Sequence, residues 1–136
     1  MKIVKPKTAF KDRRGAIVDI LDGVPVECVT ILSTKRGAVR GNHYHRRTTQ
    51  YAYVLEGKFK LYTQHPGQRV RTRVVRRGEL VVTPPHERHA FVALENSVLI
   101  ACAHGPRSGQ SYETDTYRLA VPLVESGRCL RLEDPS

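Results

Sequence analysis

The chain is poor in cysteine and has no long apolar run. Its 136 residues include only Cys28, Cys102 and Cys129, which are too few and too scattered for a disulfide framework. No CxxC pair occurs, which argues against a thiolate zinc site. We interpret the three cysteines as small, buried or partly buried apolar residues. The longest apolar stretch, SVLIACA, is far shorter than the roughly 20 residues that span a bilayer.

Helix signals and targeting signals are also missing. No window of helical length keeps apolar positions at helical spacing between caps. The first residues, MKIVKPKTAFKDRR, contain neither the apolar stretch nor the small-residue cleavage site of a signal peptide. We therefore expect a cytoplasmic protein with no membrane partner. The length predicts a single domain over residues 1–136, with a peripheral tail at 122–136.

Acidic residues are outnumbered by basic ones. The chain has 13 Asp and Glu against 23 Lys and Arg, a formal net charge of +10 that predicts an anionic partner. Arg69, Arg71 and Arg73 alternate with smaller residues, which places them on one strand face. That face is either simply solvated or attracts a phosphate-bearing ligand. We expect no nucleic-acid partner, because no stacking aromatics interleave the basic residues and no known nucleic-acid-binding motif is visible.

Strand signals, by contrast, occur along most of the chain. Turn sequences rich in Gly, Pro and Asp separate short apolar runs, and EGK predicts a tight hairpin with Gly57 at positive φ. About ten short strands at such spacing predict an all-β sandwich or barrel. The predicted strands cover residues 16–20, 26–33, 38–45, 51–56, 58–63, 69–75, 79–83, 90–94 and 97–103, with a further candidate at 115–121.

The segment GNHYHRRTTQ carries the most chemistry. His43 and His45 lie two apart on a predicted strand, so both imidazoles point to one face. Gln50 begins the next strand, and a third imidazole is available at His89 or His86. Three nitrogens and one oxygen would suit Zn²⁺, Fe²⁺, Ni²⁺ or Mn²⁺. The alternatives are a proton-transfer site or polar residues that merely alternate.

The wider spacing resembles the two signature motifs of the cupin superfamily. Residues 37–57 read G-x5-H-x-H-x4-Q-x6-G and residues 78–89 read G-x5-P-x4-H, with Gln50 where the family usually has Glu. The resemblance covers roughly residues 26–104. It implies an all-β double-stranded β-helix, or jelly-roll barrel, with the site in its mouth. It also implies a homodimer, which edge strands independently favour, and a divalent metal held by His43, His45, Gln50 and His89.

A narrower resemblance concerns RGNHYHRRTTQ and, at residues 111–119, SYETDTYRL. Both are similar to segments of the nucleotide-sugar cupins that act as dTDP-4-keto-6-deoxyglucose 3,4-ketoisomerases. RGNHYH also resembles metal-containing cupin domains of capsule-sugar biosynthesis. The resemblance therefore implies an enzyme of polysaccharide biosynthesis, an isomerase or epimerase whose substrate is a 4-keto-6-deoxy nucleotide sugar.

Such a reaction needs a base that removes a proton beside a ketone and an acid that returns it. His43 or His45 suits the base, because imidazole titrates near neutrality; a bound metal would instead make both of them ligands. We expect Arg40 or the arginine face to hold the anionic part of the substrate. Further predicted substrate contacts are Tyr51, Tyr53, Tyr62 and Arg107.

Two other functions remain open at this level. A metal-dependent dioxygenase or lyase acting on a small molecule would use the same three histidines and glutamine. A non-catalytic sugar- or anion-binding cupin would use the same barrel without turnover.

Overall fold

The computed structural model describes residues 1–105 and 114–125. Among these residues there is no α-helix, and hence none long and apolar enough to cross a bilayer. Their strands are β1 (Lys2–Val4), β2 (Thr8–Asp12), β3 (Gly15–Val18), β4 (Cys28–Thr34), β5 (Val39–Tyr44), β6 (Thr49–Glu56), β7 (Lys58–Gln64), β8 (Arg71–Arg76), β9 (Leu80–Thr83), β10 (Arg88–Ala93), β11 (Ser97–His104) and β12 (Tyr117–Arg118).

Ten of these strands form two five-stranded sheets that face each other. The first sheet has the order β1-β9-β6-β11-β4 and the second has the order β12-β5-β10-β7-β8. All the strand pairs are antiparallel. Strands β2 and β3 form a separate hairpin. The architecture is the predicted double-stranded β-helix, or jelly roll.

The core lies between the inner faces of the two sheets. Val54 comes from the first sheet, while Phe59, Leu61 and Phe91 come from the second, and all belong to one buried cluster. The rings of Phe59 and Phe91 meet edge to face, with centroids 5.8 Å apart. Each such fully buried side chain contributes about 1.5–3 kcal/mol through the area it removes from water. The strand alternation that fills this core also decides which polar side chains face inwards.

The hairpin predicted at Gly57 is confirmed. Gly57 has φ +83°, and it joins β6 to β7. A Cβ built on it would lie 2.0 Å from Ser97 Oγ, and that oxygen accepts a hydrogen bond from the amide of Lys58. Both the backbone conformation and the close approach of Ser97 therefore require glycine at this position.

Strands β1 and β2 were not predicted from the sequence. Strand β1 has three residues and forms because β9 pairs with it, a contact between segments nearly eighty residues apart. The candidate strand at 115–121 is reduced to the two residues of β12. The tail prediction falls partly on residues 126–136, which lie outside the described residues.

Two of the three cysteines can be assessed. Cys102 is buried and Cys28 is partly buried, as predicted. Burial of Cys102 raises the pKa of its thiol, and the nearby Cys28 raises it further. A thiol with a raised pKa is a poor nucleophile at neutral pH. Cys129 lies outside the described residues.

Candidate functional site

Three imidazoles meet on the inner face of the second sheet, at one end of the barrel. His43 on β5 and His89 on β10 are directly opposite each other in the strand register. His45 follows β5 immediately. The ring centroids of His43 lie 4.9 Å from His45 and 4.7 Å from His89, and those of His45 and His89 lie 5.4 Å apart. We call these three residues the histidine triad.

A β-bulge aims the triad inwards. Between the pairs His89–His43 and Ala90–Gly41, strand β5 carries the extra residue Asn42. Gly41 and Asn42 have φ +103° and +58°. Gly41 lies opposite Ala90 on the outer face, and because side chains alternate along a strand, His43 would share that face if residues 41–43 formed a regular strand without the bulge. The Asn42 side chain also holds the C-terminal segment, accepting from the Leu123 amide at 2.9 Å.

Two of the imidazoles are oriented by backbone carbonyls. His45 Nδ1 lies 2.9 Å from the carbonyl oxygen of Asp115, and His89 Nδ1 lies 3.2 Å from that of Glu87. A carbonyl can only accept, so each Nδ1 carries the proton and donates it. In the neutral rings the lone pair is therefore on Nε2, and both Nε2 atoms are buried. This arrangement of a buried Nε2 and a carbonyl-bound Nδ1 suits a base or a metal ligand.

Asp115 fixes the chain that follows His45. Its buried carboxylate accepts hydrogen bonds from the amides of Arg46 and Arg47, at 3.1 and 3.0 Å, and from the Thr48 hydroxyl at 2.7 Å. Burial by itself raises the pKa of Asp115, but these hydrogen bonds, with the nearby His45, outweigh it and hold the pKa below its usual value. Asp115 therefore orients His45 with its carbonyl and the following turn with its carboxylate.

Asp115→Asn should lower the free energy of unfolding by about 2 kcal/mol, because an amide accepts these hydrogen bonds more weakly and turns an N–H toward one of the donors. Chemical denaturation at neutral pH measures the change. The matched control is Asp12→Asn, since Asp12 is on the surface beside Arg14, and it should leave the unfolding midpoint where it is. Equal effects of the two substitutions would contradict the structural role assigned to Asp115.

The outer face behind the triad carries a stack of aromatic and guanidinium groups. The Tyr44 and Tyr117 rings are stacked with centroids 5.3 Å apart. The guanidinium carbon of Arg46 lies 4.2 Å from the Tyr117 centroid, and that of Arg88 lies 4.4 Å from the Tyr44 centroid. Cation–π contacts of this kind add to the pairing of β12 with β5. The stack thus helps to hold Asp115 beside His45.

The triad and Gln50 fit a divalent transition metal. One nitrogen from each imidazole lies within 4.8 Å of the others. His43 Nδ1, His45 Nε2, His89 Nε2 and Gln50 Oε1 are all buried atoms. Gln50 Oε1 accepts no hydrogen bond from the described residues, which is costly for a buried amide oxygen unless something else binds it. Imidazole nitrogens with an amide oxygen form an acceptable donor set for Zn²⁺, Fe²⁺, Ni²⁺ or Mn²⁺.

Positive charge flanks the triad along the same sheet. Across the strands, Arg118 pairs with His43, His89 pairs with Thr63, and Thr63 pairs with Arg71. Directly paired residues share a sheet face, so one row runs from Arg118 through His43, His89 and Thr63 to Arg71. We call it the inner row. Its two ends are guanidinium groups on exposed residues, and its centre is imidazole.

A small polar cavity adjoins the inner row. It has a volume of about 30 Å³, room for a water molecule. Glu87 is 1% exposed, and its Oε2 contacts the Met1 ammonium and lies 2.8 Å from His65 Nε2. The cavity is therefore lined mostly by polar groups and borders the arginine face. Its lining includes Thr63, His65, Gln68, Arg69, Arg71 and Glu87.

The structure does not bring the other predicted substrate contacts to the triad. Arg40 is exposed, and its guanidinium donates to Thr34 Oγ1 at 3.0 Å and to the Ser33 carbonyl. Tyr51 and Tyr53 alternate with the buried Ala52 and Val54, so they lie on the outer face of the first sheet.

Tyr62 packs against the outer cluster of Ala90 and Val92. His86 is exposed at φ +72°, and its amide donates to the His45 carbonyl; the third imidazole of the triad is that of His89. Arg107 lies outside the described residues.

Sequence reasoning missed the residues that orient the triad. Asp115 and Arg118 were noted only as part of the segment SYETDTYRL, and Glu87 and Thr63 were not noted at all. Asp115 is seventy residues from His45 along the chain, so no local pattern connects them. The one usable signal was the alternation of arginines in 69–73, which does place Arg71 and Arg73 on one face, the face shared with Leu61 and Thr63.

A comparison with protein-family models matches residues 27–116 to the model described as Cupin. No curated protein sequence matches the chain.

Solved structures with the same fold are numerous. The 3,4-ketoisomerase QdtA from Thermoanaerobacterium thermosaccharolyticum, solved with TDP, has a TM-score of 0.72 and 19% identity over 88% of each chain. A 3,4-ketoisomerase from Helicobacter canadensis has a TM-score of 0.72 and 16% identity over 98% of this chain and 97% of its own. The dTDP-4-dehydrorhamnose 3,5-epimerase from Sulfolobus tokodaii has a TM-score of 0.73 and 19% identity over 90% of this chain and 78% of its own.

Proposed function

Because the chain belongs to the cupin family, we propose that its histidine triad is the centre of a cytoplasmic isomerase or epimerase acting on a 4-keto-6-deoxy nucleotide sugar. The observation that carries the proposal is the convergence of three imidazoles, two of which donate their Nδ1–H to a backbone carbonyl oxygen. Proteins that share the fold include 3,4-ketoisomerases and a 3,5-epimerase of dTDP-sugars. That likeness supports an activity of the same class.

The proposed chemistry begins with His45 as the base. Its Nε2 lone pair takes the proton from the carbon next to the ketone, and the electrons of that C–H bond form an enediolate. The imidazolium that results is stabilised by the Asp115 carbonyl, which accepts from Nδ1, and by the nearby Asp115 carboxylate. Return of the proton to the former ketone carbon, with transfer of the hydroxyl proton from the one oxygen to the other, gives the isomerised ketone. Return to the same carbon from the opposite face gives the epimer.

His43 is the alternative base and the alternative proton donor. It lies beside both other imidazoles, so it can exchange protons with the same enediolate. Because it is more exposed than His45 and His89, it is the member of the triad nearest to an entering ligand. A base on one ring and an acid on another would account for both proton steps.

The exchange of solvent deuterium tests this function directly. The protein is incubated in D₂O with a panel of 4-keto-6-deoxy nucleotide sugars, and ¹H NMR follows the carbon next to the ketone. We expect deuterium at that carbon with at least one sugar, because the base exchanges its proton with solvent between the two steps. Absence of exchange across the panel would rule the proposal out in favour of a non-catalytic sugar- or anion-binding cupin.

The anionic part of the substrate belongs, in this proposal, on the arginine face. Arg71 lies at one end of the inner row, two strands from His89, which is about 10 Å at the usual strand spacing. A diphosphate held there would leave its sugar over the triad. Guanidinium groups bind phosphate oxygens by paired, charge-assisted hydrogen bonds.

Arg71→Gln should raise the KM for the nucleotide sugar by about 10–100-fold and leave kcat within a few-fold, because the lost hydrogen bonds bind substrate and transition state alike. Steady-state kinetics separate the two constants. Arg76→Gln is the control, since Arg76 is exposed on the other face of the same strand. A KM that stays within twofold in both variants would place the anion elsewhere.

We further propose that the triad with Gln50 can hold a divalent transition metal. A bound ion would act as a Lewis acid on the ketone, and the liganded imidazole nitrogens would then be unable to accept protons. The same donor set favours, as a second candidate function, a metal-dependent dioxygenase or lyase. Metal analysis of protein purified without chelator or nickel resin, followed by oxygen uptake with candidate substrates, separates these cases.

A homodimer is part of the proposal. Strand β4 is the last strand of the first sheet in the part of the chain that the structure describes, and an open edge favours pairing or covering by another chain.

A further inference from the structure

A tight turn brings the backbone of Glu87 beside His89. The Glu87 amide donates to the Pro84 carbonyl at 3.4 Å, and His86 has φ +72°. Proline in second place and a positive φ in third place are typical of a type II turn. The turn leads directly into β10, and the Glu87 carbonyl accepts the Nδ1 proton of His89 at 3.2 Å. The position of this one carbonyl therefore sets the orientation of the His89 ring.

The Glu87 side chain is held from two sides. It is 1% exposed, and its Oε2 contacts the Met1 ammonium and lies 2.8 Å from His65 Nε2. His65 directly follows β7, and the neighbouring residue Gln64 pairs with Arg88 at the start of β10. The contact between Glu87 and His65 thus ties the turn before β10 to the end of the adjacent strand.

This buried carboxylate is not explained by stability. Its Oε1 is buried and accepts no hydrogen bond from the residues that the structure describes. Burying a carboxylate with one oxygen in that condition costs free energy. An apolar side chain of similar size would avoid the cost and is often as stable or more stable. We therefore look for the reason for Glu87 in what its contacts do to the site.

Asp115 treats His45 in the same way. Its carbonyl accepts from His45 Nδ1 at 2.9 Å, while its buried carboxylate holds the chain that follows. The two turns are also joined, because the amide of His86 donates to the His45 carbonyl. Two buried acids therefore flank the triad. Each gives its backbone carbonyl to one imidazole and uses its carboxylate to fix its own segment.

We propose that Glu87 is a positioning residue that acts through His89. Its carboxylate, held by His65, fixes its own carbonyl, which keeps the His89 proton on Nδ1 and the lone pair on Nε2. This rests on the function proposed above, since a ligand or a base at the triad needs that lone pair to point into the site. Without the carboxylate the turn can shift, and the neutral ring then exchanges between its two tautomers.

Glu87→Leu tests the proposal by imidazole NMR on metal-free, ¹⁵N-labelled protein. Spectra are recorded at about pH 8.5, above the usual imidazole pKa of about 6.5, and His89 is assigned by comparison with His89→Asn. In the wild type we expect a single His89 tautomer with the proton on Nδ1. In Glu87→Leu we expect a mixture of the two tautomers. The signals of His45, which Asp115 orients, should be the same in both proteins.

Deuterium exchange on the nucleotide sugar gives a second readout of the same variant. We expect kcat to fall by about 10–100-fold, the usual effect of losing a residue that orients a functional imidazole. The KM should stay within about threefold, because Glu87 is assigned no contact with the substrate. A rise in KM at constant kcat would instead make Glu87 a substrate-binding residue and would overturn the proposal.

Substitutions of His65 test the contact from its other side. The His65 side chain is 43% exposed, so its replacement should leave the fold intact. His65→Leu removes the donor and should shift the His89 tautomers in the same direction as Glu87→Leu, by a smaller amount. His65→Gln keeps an N–H for the carboxylate and should restore the wild-type spectrum.

Glu27→Leu is the matched control. Glu27 is an exposed carboxylate that pairs with His104 at 3.1 Å, outside the triad. Its loss should change neither the His89 tautomer nor the exchange rate. An effect of Glu27→Leu equal to that of Glu87→Leu would overturn the assignment to Glu87.

Two further results would overturn the proposal. One is a single His89 tautomer with the proton on Nδ1 in both Glu87→Leu and His65→Leu. The other is equal disturbance of His45 and His89, which would mean a general loosening of the barrel. If Glu87→Leu does not fold, the two His65 variants decide the question. Absence of exchange in the wild type would count against the enzymatic proposal, and the NMR comparison of the metal-free protein would stand apart from it.

Discussion

Replacing His45 by asparagine should lower the rate of deuterium exchange next to the ketone by about 10²–10⁴-fold, the contribution of a positioned general base. Asparagine is chosen because its amide can still donate to the Asp115 carbonyl that His45 Nδ1 contacts at 2.9 Å. The substitution therefore removes the proton acceptor and keeps the hydrogen bond that anchors this segment. The initial rate of exchange, followed by NMR at saturating sugar, measures the effect on the chemical step.

His104→Asn is the control for this experiment. His104 is exposed, pairs with Glu27 at 3.1 Å and lies outside the triad, so its substitution should leave the exchange rate unchanged. Measuring metal content in parallel distinguishes a lost base from a lost ligand. An exchange rate in His45→Asn within threefold of the wild-type rate would show that His45 is neither the base nor a required metal ligand.

Gly41→Ala should lower the free energy of unfolding by about 2–4 kcal/mol, through left-handed backbone strain and steric overlap together. Gly41 has φ +103°, and a Cβ there would lie 2.7 Å from the His89 carbonyl oxygen and 3.1 Å from Ala90 Cα. Both contacts are with backbone, which cannot move without shifting His89. We therefore also expect deuterium exchange to fall by about 10²-fold as the triad is displaced.

Gly78→Ala separates strain from overlap. Gly78 has φ +89°, and a Cβ on it would meet nothing within 4 Å. Gly78→Ala should lower the free energy of unfolding by about 1 kcal/mol through the backbone conformation alone. It should not change the rate of deuterium exchange next to the ketone. Denaturant titration of both variants gives the comparison. If Gly41→Ala unfolds at the same midpoint as Gly78→Ala, the close approach of β5 to β10 is not as tight as the structure has it.

The fold was predictable because its strands alternate so regularly. Most of the predicted strands agree with the structure to within a few residues, and Gly57 turns between β6 and β7 as expected. Strand β1 could not be predicted, because three residues carry too little pattern and the strand depends on β9. Strand β12 has only two residues, so its pattern is also too short to predict. Its segment is held by the hydrogen bond of Thr48 to Asp115 and by the stacking of Tyr117 on Tyr44, and not by a long backbone ladder.

The site was predictable only in part. The spacing of His43 and His45 placed both rings on one strand face, while the third imidazole was left open between His89 and His86 until the resemblance to the cupin motifs favoured His89. Tyr51 and Tyr53 were predicted to contact substrate because they follow Gln50 closely in the sequence. Both lie on the outer face of their sheet, so closeness in sequence did not bring them to the site. The contact between Asp115 and His45 could not be predicted, because it depends on how the segment after β11 returns to β5.

The bulge at Asn42 reverses which face of β5 the following residues occupy. In a regular strand of the same sequence, Tyr44 would point into the barrel, while the imidazoles of His43 and His45 would face outwards. A chain that lacks Asn42 would keep both histidines inside with no bulge, because one residue fewer restores the same alternation. Two homologues that share the letters HYH can therefore differ in whether those letters make a reactive centre. The number of residues between Val39 and His43 decides whether a bulge is needed, and the motif alone does not carry that information.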